Sequence, residues 1–139
     1  MVVIPSKPII KGQAEAEILF SRKPISFIGG VDPQTGIIRD PLNDCEGKSI
    51  ADKIYVFPFG KGSSGAGLVL LELARVGKAP VALVNLRTDS VLMTGPLICR
   101  EFYKKLIPVV NVDEAGMDQL AEASNIRIEA DGYSITVVE

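Results

Sequence analysis

The sequence contains no histidine in its 139 residues, and that absence excludes more chemistry than any residue present. Without an imidazole there is no Ser–His–Asp or Cys–His activation of a nucleophile, no phosphohistidine carrier chemistry and no histidine-ligated metal within this chain. Any acid or base must be Asp, Glu, Lys, Tyr, Cys or Ser. Tryptophan is absent too, which weakens a carbohydrate-binding reading. The only cysteines, Cys45 and Cys99, are far apart and form no CxxC pair. In a reducing cytoplasm both are expected to be free and unreactive. Two thiols do not hold an iron–sulfur cluster, which takes three or four ligands.

No apolar run approaches the roughly 18 residues of a membrane span. The opening Met1-Val2-Val3-Ile4-Pro5 lacks the basic region and long apolar stretch of a secretory signal. A cytoplasmic location is therefore expected. The formal net charge is −2 without strong charge blocks, so there is no electrostatic footprint for nucleic acid or for a membrane surface.

What is present is the balance of a globular protein, 47% apolar and 23% charged. The length suits one domain over residues 1–139, with a core that needs no disulfide or metal staple. Residues 9–20 and 25–31 read as strands, the second running into the turn Asp32-Pro33-Gln34-Thr35-Gly36, with a short return over 36–39. Residues 54–59 form a continuous apolar run, the mark of a strand covered on both faces, with Pro58 near its end. A helix of about four turns follows. Its charges Glu72, Arg75 and Lys78 make one narrow wet stripe, and Gly77 is its stop. Residues 80–85, 91–93 and 108–112 read as further strands, 95–103 as a helix or irregular turn, and 116–124 as a short helix. Residues 126–129 and 133–138 flank Asp131-Gly132, a hairpin signal. The result is an α/β fold with a mixed sheet or barrel.

One constellation has chemical promise: the strand, the loop Gly60-Lys61-Gly62-Ser63-Ser64-Gly65, and the helix after it. The glycines let backbone approach a ligand, and the helix N-terminus favours an anion. Ser63 and Ser64 sit in that field and either bind a carboxylate or phosphate, act as a base, or simply cap the helix. The loop is not a Walker A loop, because its lysine precedes the glycine–serine pair. Lys61 and Arg87 are candidate anion partners. Asp32 reads first as a turn residue.

Two longer segments carry a resemblance. Residues 25–36, Ile-Ser-Phe-Ile-Gly-Gly-Val-Asp-Pro-Gln-Thr-Gly, and residues 56–64, Val-Phe-Pro-Phe-Gly-Lys-Gly-Ser-Ser, resemble the small-subunit family of aconitase X. Residues 79–84, 95–98 and 107–110 complete the order, so the likeness spans roughly residues 9–112. It implies a swivelling β/β/α domain like the C-terminal domain of aconitases. It also implies a large partner subunit that forms a heterodimer with this chain and holds a [4Fe-4S] cluster, with none bound here. The implied activity is that of a hydro-lyase on a small anionic substrate, dehydrating (R)-5-phosphomevalonate to trans-anhydromevalonate 5-phosphate in an archaeal-type mevalonate pathway. Hydroxyproline dehydration and a non-catalytic anion-binding module are the alternatives. The resemblance assigns Ser63 as the catalytic base, and Gly62, Ser64, Gly30 and Asp32 as substrate-binding residues. Two departures stand out: Gly65-Ala66-Gly67 has no third serine, and Gly65 stands where true aconitases have an arginine.

Overall fold

A computed structural model of the chain describes residues 2–61, 66–88 and 90–138. Among them eight strands form one sheet: β1 (Val3–Pro5), β2 (Lys7–Ile10), β3 (Ala14–Phe20), β4 (Ile54–Val56), β5 (Ala82–Asn85), β6 (Val109–Asn111), β7 (Asn125–Ile128) and β8 (Ser134–Val137). Their order across the sheet is β1-β8-β7-β3-β4-β5-β6-β2. The two edge strands, β1 and β2, are separated in the chain only by Ser6, so the sheet nearly closes on itself. Near-closure leaves little unpaired edge for another chain to extend. β3 joins the two halves. Its residues 14–17 pair antiparallel with β7, and its residues 18–20 pair parallel with β4.

Parallel neighbours need crossover connections, and the chain supplies two of the three as helices, the β3–β4 connection running through turns and isolated bridges. The short segment α1 (Phe27–Gly30) is a tight turn rather than a regular helix, with Ile28 and Gly29 outside helical φ/ψ. Helix α2 (Ala66–Arg75) links β4 to β5, and α3 (Ser90–Phe102) links β5 to β6. Helix α4 (Glu114–Leu120) precedes the antiparallel β7–β8 hairpin.

Side chains along the parallel strands alternate between two cores. Ile54, Val56, Ala82, Val84 and Val110 pack with Ile126, Ile128 and Ile135 in one. Tyr55, Leu83 and Val109 face the other way, against Val69, Leu70, Leu73 and Cys99 of α2 and α3. Coverage on both faces is the reason residues 54–57 show no polar alternation. Phe27, Tyr55 and Phe57 form an aromatic cluster in the second core, with centroids 4.7–6.3 Å apart. Each such pair contributes about 0.5–1.5 kcal/mol beyond its buried area.

The two long helices touch where each has a glycine. A Cβ on Gly67 would stand 2.9 Å from the Gly95 backbone nitrogen, and one on Gly95 would stand 2.9 Å from the Gly67 carbonyl oxygen. That contact brings α2 and α3 together near their N-terminal turns.

Five sequence expectations change. Residues 9–20 are two strands, broken between Ile10 and Ala14. Residues 25–31 are not a strand: Gly29 has φ +80°, and this left-handed residue reverses the chain, leaving only the isolated bridges Ile25–Gly60 and Val31–Ile38. Residues 91–93 belong to α3, whose buried positions Leu92, Gly95, Pro96 and Cys99 keep helical spacing straight through the Gly-Pro pair. The helix expected over 116–124 starts earlier, because the Asp113 carboxylate accepts from the Gly116 N–H at 2.8 Å and caps α4. In α2, Leu68 is exposed beside Glu72 and Arg75, so its outer stripe is broader than the charges alone suggest.

Candidate functional site

Gly62, Ser63 and Ser64 lie outside the described residues. Both ends of their loop are described. β4 delivers the chain to Phe57, Pro58 and Phe59 at the carboxyl end of the parallel strands, and α2 begins at Ala66. The departing strand is held by main-chain bonds: the Lys61 N–H donates to Ile25 O (2.9 Å), the Ile25 N–H donates to Phe59 O (3.3 Å), and the Leu86 N–H donates to Pro58 O (2.9 Å). The carboxyl edge of a parallel sheet, where a loop enters a helix, is the place at which α/β sheets bind ligands.

The Gly-Gly-Val-Asp segment starts at the same corner, because Ile25 bridges Gly60. Gly30 is buried and its carbonyl accepts from the Arg39 N–H at 2.8 Å. Asp32 has both oxygens committed. One accepts from the Gln34 N–H at 2.8 Å, and the other from the Arg39 guanidinium at 2.5 Å. These contacts, the Gln34 backbone bond first, hold its carboxyl below the usual range. The Gln34 side chain donates to Glu72 at 2.8 Å, tying this turn to α2. Hydrogen bonds from Arg75 and then Gln34 bring the Glu72 carboxyl down to about 2.

The sequence reading missed a polar cluster on the same edge. Asn85 and Asn111 pair across β5 and β6. The Asn85 side-chain oxygen accepts from Thr88 Oγ1 (2.8 Å) and Asn111 Nδ2 (2.6 Å), and Asn111 Nδ2 also reaches Thr88 Oγ1 (3.0 Å). Asn85 is fully buried, and among the described residues its Nδ2 has no partner. The available signal was the repeated Val-Asn ending of two apolar strands, Val84-Asn85 and Val110-Asn111. Arg87 lies with its guanidinium carbon 3.9 Å from the centre of the Phe59 ring, at a cavity of about 100 Å3 lined by Phe59, Gly60, Arg87 and Thr88.

Among the described residues no three His, Cys, Asp or Glu side chains are grouped as metal ligands. Cys45 is buried, with its Sγ donating to Phe20 O at 3.0 Å, and Cys99 is buried against α2. Burial pushes both thiols above their usual range. The donor set of the described residues thus does not fit an iron–sulfur cluster. No described helix is long and apolar enough to cross a membrane.

A nearly closed mixed sheet, two crossover helices on its parallel half and a glycine–serine loop at a strand's carboxyl end define a swivelling β/β/α domain of the aconitase type. The family model of the aconitase X swivel domain matches residues 3–137, and the chain belongs to that family. It is 38% identical over 136 residues to the phosphomevalonate dehydratase small subunit of Thermococcus kodakarensis, covering 98% of this chain and 96% of that one. The protein of the same name from Methanosarcina acetivorans is 37% identical over 134 residues, covering 95% of this chain and 89% of that one. The crystal structure of Thermococcus kodakaraensis aconitase X in its holo-form superposes with a TM-score of 0.85 at 36% identity, over the whole of both chains.

Proposed function

We propose that this chain is the small, swivelling subunit of a cytoplasmic phosphomevalonate dehydratase, acting as one unit over residues 1–139 with a larger partner. The observation that carries the reading is whole-chain similarity: relatives 37–39% identical over 93–98% of this chain are phosphomevalonate dehydratase small subunits. In the reaction (R)-5-phosphomevalonate loses a proton and a hydroxide, giving trans-anhydromevalonate 5-phosphate and water. Ser63 Oγ takes the proton from the carbon next to the carboxylate, and Gly62 and Ser64 bind the substrate beside it. Gly30 and Asp32 complete the substrate-binding set from the neighbouring 29–36 turn.

A free serine hydroxyl is a very weak base, so the reading requires a site that stabilises its alkoxide with N–H donors and positive charge while excluding water. The start of α2 and Lys61 supply that positive field from this chain. Closing a large partner over the carboxyl edge excludes the water. The [4Fe-4S] cluster is assigned to that partner, because the residues described here do not fit it. The isolated chain is therefore inactive in this proposal.

Association is the first expected outcome. Co-expressed with a large aconitase X-type subunit, the chain should elute from a size-exclusion column as one two-subunit species. Two separate species at micromolar concentration would contradict the proposal.

A further inference from the structure

Arg87 differs from the other arginines whose contacts are fixed. Arg39, Arg75 and Arg127 each pair with a carboxylate. Among the described residues none pairs with Arg87, whose guanidinium carbon instead sits over the Phe59 ring, 3.9 Å from its centre. Stacking occupies the face of a guanidinium and leaves its in-plane N–H donors free for a bidentate oxyanion. Arg22 also approaches a ring, that of Phe20, but at 5.4 Å and beside a cavity that includes Glu114 and Asp118. Among the described residues, the cavity at Arg87 has no carboxylate in its lining.

The surroundings favour an anion. At about 100 Å3 the cavity has room for about three waters, close to the size of one oxyanion head. Thr88 is fixed by its bonds to Asn85 and Asn111, so the segment carrying Arg87 is anchored on both sides, and little ordering remains to be done on binding. Among the described residues the buried Asn85 Nδ2 has no acceptor, while the Asn85 oxygen holds Thr88 in place. Helix α3 starts two residues after Thr88, which adds the positive end of a thirteen-residue dipole.

We propose that Arg87, held over the Phe59 ring at this cavity, is the residue with which the chain grips an oxyanion head of the substrate, phosphate or carboxylate. The identity of that substrate rests on the dehydratase reading; the anion site itself does not.

The full chain is titrated with inorganic phosphate and, separately, with acetate, while the Arg87 Nε–H and Gly60 N–H resonances are followed by NMR. Saturable shifts with a millimolar dissociation constant are expected in the wild type, lost in Arg87→Gln and kept in Arg100→Gln. The anion giving the tighter constant identifies the head. Gly60 shifts that survive Arg87→Gln, or no saturable shift with either anion, overturn the proposal. In the two-subunit enzyme, Arg87→Gln should raise KM about 10- to 100-fold with little change in kcat, and Arg87→Lys should restore only part of it. An active enzyme whose KM ignores Arg87→Gln overturns this inference and leaves the dehydratase reading standing. An inactive wild-type complex whose small chain still binds anion through Arg87 overturns the dehydratase reading and leaves this inference standing.

Discussion

Ser63→Ala is expected to lower kcat of the two-subunit enzyme by about three to four orders of magnitude, with KM and assembly little changed. The size follows from what a general base does. It acts on a proton in flight, so its removal costs transition-state stabilisation and leaves ground-state binding alone. A serine that only caps α2 gives a different signature: a loss of about 0.5–2 kcal/mol in stability with turnover retained. Ser64→Ala should be milder, raising KM or costing a little stability. If Ser64→Ala abolishes turnover and Ser63→Ala does not, the base is Ser64. If neither affects turnover, the loop is structural and the catalytic assignment fails.

The second large effect is on the scaffold. Gly95→Val is expected to destabilise the chain by about 3 kcal/mol, roughly 10 °C in melting temperature. Glycine in an open helix is a liability, and replacing it there by alanine gains up to about 1 kcal/mol. Here the sign reverses. The new Cβ meets the Gly67 backbone and the Leu70 Cβ at 2.9 Å, and neither is the flexible end of a side chain. The only relief is for α2 and α3 to separate, which opens the core they share with β4 and β5. Because those helices start at the same corner as the serine loop, separation should also lower turnover. A neutral or stabilising result by thermal melting would show that the helices do not meet at this contact.

The parts of this fold that were legible share a cause: local pattern and tertiary environment agree. Residues 54–57 read as a doubly covered strand because their two cores are both apolar. The β7–β8 hairpin announced itself through Asp131-Gly132, whose glycine has φ +78°. The failures came where they disagree. Gly95-Pro96 looks like a helix break, yet α3 continues because its glycine is required by a neighbouring helix rather than by a turn. β1 does not read as a strand, because its β-branched run Val2-Val3-Ile4 is short and ends at Pro5. Its three residues are fixed by pairing with β8, some 130 positions away, and Ser6 Oγ donates to the Gly132 carbonyl at 2.7 Å to hold that junction.

The site shows the same division. Its serine loop was recognisable because glycine, serine and a following apolar helix are contiguous in sequence. Asp32 read first as a turn residue, and its contacts with Gln34 and Arg39 are those of a turn. The Asn85–Thr88–Asn111 cluster and the stacking of Arg87 on Phe59 depend on strands that meet only in the folded chain. No spacing within one segment reveals them.

The most direct measurement is an anaerobic dehydratase assay of the co-purified two-subunit protein, with (R)-5-phosphomevalonate and hydroxyproline offered separately and product followed by mass. The account predicts loss of one water from (R)-5-phosphomevalonate, none from hydroxyproline, and no turnover by either chain alone. Turnover of hydroxyproline in place of phosphomevalonate, or phosphomevalonate dehydration by the large subunit without this chain, would contradict it.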